Sequence, residues 1–226
     1  MTERKRHLLA AQKNAEELFA AVERGGLITA GKSERTLNDE VYELAFRMFG
    51  IRKYWHKRIV RAGKNTLLPY KENPPDLVLQ EDDILFFDFG PVFEEWEADF
   101  GRTYVLGNDP VKHKLRGDIE AAWYEGKKHF DAHYDALTGA AFYRHISSLA
   151  ERYGWHFGNV HCGHLIGNFP HEIIQGDEER NYLHPNNHIR LSEPDEKGNP
   201  RDWILEVHFV TKERTFGGFF EQLLSV

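Results

Sequence analysis

The sequence predicts an α+β fold, and three observations carry that expectation. Helical periodicity comes in two pairs, one near the start of the chain and one in its middle. Four apolar runs of strand character each carry an acid where an apolar residue belongs. A polar stretch rich in Pro, Asn and Gly, from Gly176 to Arg201, interrupts the order before the last two runs and reads as a surface excursion.

Residues 3 to 24 set Leu8, Leu9, Ala11, Ala15, Leu18, Phe19 and Val22 near helical spacing, and Gly25-Gly26 supplies a stop. A second helix spans Glu34 to Phe49 and ends at Gly50. Residues 51 to 71 are extended, with a turn around Gly63-Lys64-Asn65, and Asn73-Pro74-Pro75-Asp76 breaks the chain. Ile84-Leu85-Phe86-Phe87-Asp88-Phe89 is apolar throughout except for Asp88, the pattern of a strand buried on both faces. A strand from Trp96 to Leu106 follows closely and predicts an antiparallel hairpin. Helices over 111 to 136 and Ala140 to Tyr153 come next, and strands over Trp203 to Val210 and Phe219 to Val226 close the chain. No repeat or linker stands out, so residues 1–226 are expected to form one domain, with residues 1–30 as an N-terminal helical addition.

Composition narrows the function. A net charge of −7 with acids and bases interspersed lacks the basic stripe of a nucleic-acid surface. No apolar run is long enough to span a membrane, and the first residues lack a signal-peptide core. Cys162 is the single cysteine, so no intrachain disulfide can form, and a reducing, cytoplasmic setting is expected. A homodimer is compatible with all of this.

The acids hold the chemical signal. Phe86 shares a strand face with Asp88, Gly101 with Asp99, Ile204 with Glu206, and Phe219 with Glu221. Burying one carboxylate costs several kcal/mol or forces protonation, and several converging carboxylates repel unless cations lie between them. Two divalent ions resolve the conflict. Two Asp, two Glu and a single imidazole suit Mn, Fe, Co or Zn better than a closed structural zinc site does. Any one of these acids alone reads as a turn or capping residue. Cys162 reads as a small buried hydrophobe, and Glu94, Glu95 and Glu97 as a solvated charged turn.

The imidazoles come from His161-Cys162-Gly163-His164 and Pro170-His171-Glu172, three histidines within eleven residues. Asp, Asp eleven residues on, then His, Glu and Glu is an order that resembles the pita-bread metallopeptidases: methionine aminopeptidase, aminopeptidase P, prolidase and the non-metal creatinase. Asp88-Phe89-Gly90 with Asp99-Phe100-Gly101-Arg102-Thr103 is similar to the family's Asp-x-Gly … Asp-x-x-Arg-Thr hairpin. Gly163-His164-Leu165-Ile166-Gly167 with His171-Glu172 is similar to its Gly-His-x-Ile-Gly … His-Glu segment, and Gly63 to Tyr70 to a prolidase-like one.

The resemblance implies a curved antiparallel sheet covered by helices and a metal-dependent hydrolase, most nearly an Xaa-Pro aminopeptidase acting on peptides. Its cofactors would be two divalent ions, manganese or its neighbours, that make a water nucleophilic. Asp88 would chelate the first ion, Asp99 and Glu221 would bridge, and His164 and Glu206 would complete the second. Glu206 would also shuttle a proton, His171 would hydrogen-bond the tetrahedral intermediate or the substrate amide, and His161 would sit at the rim or behind the ligands. The family's early-strand histidine is missing, since Pro69-Tyr70 stands there, so His56 or Tyr70 would contact substrate instead. Glu206 is preferred over Glu193 of the Glu193-Pro194 dipeptide because it lies in a convincing strand. A hydrolase of a small non-peptide C–N substrate and a binding module that has lost catalysis are the alternatives.

Overall fold

The computed structural model describes residues 2–169, 179–195 and 198–225. The helical periodicities become α1 (Glu3–Arg24), α2 (Glu34–Phe49), α3 (Pro110–His133) and α4 (Gly139–Tyr153). Each begins on an oxygen-bearing cap, at Thr2, Ser33, Asp109 and Thr138, whose side chain accepts a first-turn backbone N–H. Gly50 and Gly154 end α2 and α4 in the left-handed conformation, at φ 69° and 92°.

The strands are β1 (Ile59–Ala62), β2 (Ile84–Phe89), β3 (Val92–Phe93), β4 (Trp96–Glu97), β5 (Phe100–Val105), β6 (His156–Phe157), β7 (Leu165–Ile166), β8 (Asp202–Val210) and β9 (Gly217–Leu223). The main sheet runs β1-β2-β5-β9-β8-β6, with β7 also on β8, and all of its pairings are antiparallel.

Alternation divides this sheet into two chemistries. Leu85, Phe87 and Phe89 turn one way and pack with Phe19 of α1 and Leu37 and Val41 of α2. Leu205, Val207, Phe209 and Phe220 pack with Trp123 of α3 and Phe142 and Ile146 of α4. The Trp123 indole N–H donates to Leu205 O at 2.8 Å, which fastens α3 to the middle of β8. Asp88, Glu206 and Glu221 alternate with these residues and so point to the opposite face. Helix α1 reaches that face as well: Leu8 packs with Ile166, Ile204 and Leu223, and Arg4 Nε lies 2.5 Å from Asp202 Oδ2. Among the described residues no helix is long and apolar enough to cross a membrane.

Three sequence expectations need correction. The strand expected over Trp96 to Leu106 is broken, because Glu97 N donates to Gly167 O and Ala98 N to Pro91 O. Strand β4 therefore folds back on β3 in a separate two-stranded ribbon, and Asp99 falls in the gap before β5. Glu97 is not part of a solvated turn. It is 3% exposed and its Oε2 accepts Gly167 N–H at 3.1 Å, while Glu94 and Glu95 do face solvent. The stretch after Gly176 is more than a surface excursion in its described part. Leu183 and Leu191 are fully buried in the α3–α4 core, and the Asn187 side chain ties three backbone positions together.

Phe87 sits directly behind the acid-bearing face, fully buried and edge-on to Phe19. Phe87→Ala is expected to lower unfolding free energy by about 3–5 kcal/mol, read as a reduced urea midpoint.

Candidate metal centre

The four strand partners across the sheet centre form one transverse row. Asp88 of β2 pairs with Gly101 of β5, Gly101 with Glu221 of β9, and Glu221 with Glu206 of β8. Glycine in the row leaves room: a Cβ at Gly101 would lie 2.6 Å from the Phe219 ring and 3.0 Å from Glu221 Cβ. Asp99, two residues before Gly101, lies between the His56 and His164 rings. The four carboxylates are all at least 94% buried. Strand parity could place Asp88, Glu206 and Glu221 on one face, and Asp99, from the gap before β5, is brought to them by His56 and His164.

Residues after Asp99 stitch β5 to β9 with side chains. Arg102 Nη1 donates to Glu221 O at 2.8 Å, and its guanidinium lies between the Phe100 and Phe220 rings at 3.7 and 3.8 Å. Thr103 Oγ1 donates to Phe219 O at 2.8 Å and accepts Phe219 N–H at 2.7 Å, standing in for a strand partner. The Arg-Thr pair thus fixes the backbone that carries Glu221.

His164 arrives on the segment alongside β8. Glu206 N donates to Cys162 O and Ile204 N to His164 O, at 3.0 and 2.9 Å. Gly163 between them takes φ +145°, and a Cβ there would run into Ile204 O, so only glycine allows this approach. Cys162 is fully buried in the core as expected, and burial pushes its thiol up.

Asp99 is the hub. His164 Nε2 lies 3.0 Å from its Oδ2 and 3.8 Å from Glu221 Oε1. His56 Nε2 lies 3.1 Å from Asp99 Oδ1 and 3.5 Å from Asp88 Oδ1. One carboxylate thus meets an imidazole on each oxygen. Both rings point their other nitrogen at a carbonyl, His164 Nδ1 to Leu165 O at 2.8 Å and His56 Nδ1 to Lys57 O at 2.7 Å. A carbonyl can only accept, so each Nδ1 carries a proton and each Nε2 faces the acids.

The electrostatics follow. Burial alone would lower the His56 imidazole, but the adjacent charges of Asp99 and Asp88 outweigh it and carry it up to about 9. For His164, burial is likewise outweighed, by the hydrogen bond and charge of Asp99, and it also rises to about 9. Burial raises Asp88 to about 7, and burial with the charges of Asp99 and Asp88 drives Glu221 well above the carboxylate range. Asp99 alone falls below the usual value, since burial is overcome by its two imidazoles.

Among the described residues, two buried carboxylate oxygens of the site, Glu206 Oε1 and Glu221 Oε2, have no hydrogen-bond partner. His161 Nδ1 is 2.7 Å from Glu206 Oε1 at an angle that makes no hydrogen bond. His161 therefore borders the row beside Glu206, and its ring lies 4.9 Å from that of Tyr182. Orphaned carboxylate oxygens with imidazole nitrogens nearby are the donor set that a pair of divalent ions requires. The residues fit such ions: His56, Asp88 and Asp99 form one group of donors and Asp99, His164 and Glu221 another, each with atoms within 4.8 Å.

Tyr70 is 46% exposed at the mouth, with its ring 5.9 Å from that of His56 and Lys57 Nζ 5.0 Å over its face. His171 lies outside the described residues. Sequence reasoning missed Tyr182, which bridges to His164 and lines the wall beside His161. The only signal for it was its position in a stretch that looked polar throughout.

Similarity to known proteins bears on this arrangement. The Xaa-Pro dipeptidase of Pyrococcus horikoshii is 28% identical over 167 residues, which cover 71% of this chain and 45% of that protein. The corresponding Pyrococcus furiosus protein is 27% identical over 165 residues, again 71% and 45%. The chain therefore spans about half the length of the curated relatives it matches. Among solved structures, a prolidase from Thermococcus sibiricus superposes with a TM-score of 0.77 at 18% identity, over 99% of this chain and 56% of that one. A methionine aminopeptidase from Rickettsia prowazekii superposes at 0.71 and 17% identity, over 97% of this chain and 92% of that one. The fold is the expected pita-bread α+β fold. The sequence profile of Metallopeptidase family M24 matches residues 6–211, and with nearly the whole chain inside that match, the protein belongs to this family.

Proposed function

We propose that the chain is a two-ion metallopeptidase that removes the N-terminal residue of a peptide, with Xaa-Pro bonds as its substrate class. The observation that carries this reading is the row Asp88–Gly101–Glu221–Glu206 closed by Asp99 and His164. Four buried carboxylates serve a structure poorly and a cation site well. That also argues against a non-catalytic binding module, which gains nothing from burying them.

Divalent ions bound there would polarise the scissile carbonyl and lower the pKa of water. The chain's own residues do the rest. Asp88, Asp99, His164, Glu206 and Glu221 hold the ions. The Glu206 Oε1 atom, beside His161, takes and returns the proton that moves from water to the leaving amine. His161 borders Glu206 from 2.7 Å and, with the Tyr182 ring against it, walls that side of the carboxylate. Tyr70, at the mouth, offers its hydroxyl to the substrate. His171 keeps the role that the resemblance gives it, as a donor to the tetrahedral intermediate or the substrate amide. The Xaa-Pro assignment is supported by the Xaa-Pro dipeptidase relatives, of whose length the chain spans about half.

The direct test is hydrolysis of Xaa-Pro and other dipeptides, alongside a panel of small non-peptide amides, with manganese or cobalt and after chelation. Metal-dependent release of the N-terminal residue is expected. A purified protein that binds no divalent ion sinks the proposal. Asp99→Ala should cut metal-dependent turnover by more than about a hundredfold, beyond what loss of an outer partner costs. His161→Ala should keep both ions and lose about 10–100-fold in kcat, measured beside metal content.

Metal-free protein should also show the protons that stand in for the ions. His56 and His164 rise from an ordinary 6.5 to about 9 in the fold, so their contribution to stability is complete below about 6.5 and lost as pH climbs through about 9. Asp88, raised by burial to about 7, adds a loss in the same direction between its ordinary value and 7. Thermal denaturation across pH 6 to 10 should therefore show falling Tm without metal (range set by those shifts, about 6.5 to 9). Saturating manganese or cobalt should flatten the fall.

A further inference from the structure

The five-ligand set gives the proposed pair of ions a single imidazole, yet a second one is already aimed at them. We propose that His56 is a sixth ligand, bound through Nε2 to the ion that Asp88 holds, so that each ion takes one histidine. This rests on the two-ion reading above and assigns His56 to the metal rather than to the substrate.

The geometry is symmetric about Asp99. His56 Nε2 is 3.1 Å from Oδ1 and His164 Nε2 is 3.0 Å from Oδ2. His56, Asp88 and Asp99 gather their donor atoms as closely as Asp99, His164 and Glu221 do. If His164 belongs to one ion through one oxygen of a bridging carboxylate, His56 stands in the same relation to the other.

The protonation pattern points the same way. His56 Nδ1–H is committed to Lys57 O, so Nε2 is the ring atom left to face the two carboxylate oxygens. In the metal-free chain a proton on Nε2 meets those anions, and a divalent ion would take that proton's place, with the neutral ring ligating through Nε2. A backbone carbonyl holding Nδ1–H is also how ligating imidazoles are oriented.

The position is built. The His56 side chain is 4% exposed. Any Cβ on Gly90 would overlap the His56 and Trp55 rings, so glycine at that position makes the cradle. Trp55 locks the segment from both ends of the residue: its N–H donates to Gly90 O at 2.9 Å and its indole N–H to Ala98 O at 3.1 Å. The same indole stands edge-on to both imidazoles, with centroids 4.5 Å from His56 and 5.2 Å from His164. Tyr70 closes the outer side of His56, which leaves the hydroxyl of Tyr70 rather than the buried ring nitrogen facing substrate. Nitrogen on both ions moves the site toward cobalt, iron or zinc and away from manganese, whose preference is for oxygen donors.

The test loads the full chain with cobalt(II), counts bound metal and records the paramagnetic proton spectrum. Cobalt shifts the ring N–H of each ligating imidazole far from the diamagnetic range, and both Nδ1–H groups here are shielded by carbonyl partners. Wild-type protein with two cobalt ions should give two exchangeable shifted N–H signals, and His56→Gln one. His56→Gln should also weaken one of the two cobalt sites by at least about tenfold, the lower bound for losing even an outer partner. Two bound cobalt ions with a single shifted N–H in wild type overturn the assignment while leaving the peptidase reading intact. Wild-type protein that takes up no cobalt overturns both. The wild-type spectrum decides even if the variant fails to fold.

Discussion

Four buried carboxylates share one space, and the centre of this fold is arranged around satisfying them. Their mutual repulsion is offset by two imidazoles on Asp99, and in the metal-free chain Asp88 and Glu221 respond by holding protons more tightly. Everything near them serves to keep that charge in register. Arg102 and Thr103 clamp the strand that carries Glu221, Gly163 lets His164 approach β8, and Trp55 fixes the loop that carries His56. The helices contribute from behind, filling the other face of the same strands with aromatic side chains.

Much of this was legible in the residues. Strand parity alone put Asp88, Glu206 and Glu221 on one face, because alternate positions on each strand are apolar and belong to the helix-covered side. Helix ends were legible from Thr, Ser and Asp caps and from Gly50 and Gly154. The break before β5 was not, because it is made by long-range backbone bonds from Glu97 and Ala98 to Gly167 and Pro91, which leave no local pattern. Glu97 misled for the same reason: its neighbours Glu94 and Glu95 are exposed, while the buried third acid accepts the distant Gly167 N–H. Glu34 is a similar case. Placed at a helix start, it turns inward and accepts from Ala62 N, Asn65 and Leu77 N, tying α2 to the turn that follows β1.

His56 shows a different limit. Its sequence neighbourhood, basic and aromatic, gives no sign of a metal, and its value comes from where β1 enters the sheet. Ile59 pairs with Asp88 and Tyr54 bridges to Pro91, so the residue between them is delivered to the acids by two pairings on either side. A histidine's chemistry was readable from the chain; its address was set by topology.

The transverse row also limits how this chain can vary in length. Asp88, Gly101, Glu221 and Glu206 are cross-strand partners, and a one-residue insertion or deletion inside β2, β5, β8 or β9 would rotate an acid into the aromatic layer under the helices. Along those four strands, folding and chemistry impose one and the same constraint on length. The loop from Thr211 to Phe216 closes on itself through the Thr211 hydroxyl and contributes nothing to the row. Length changes that spare the site are therefore confined to such connections, and divergence among chains built this way would be written in their loops.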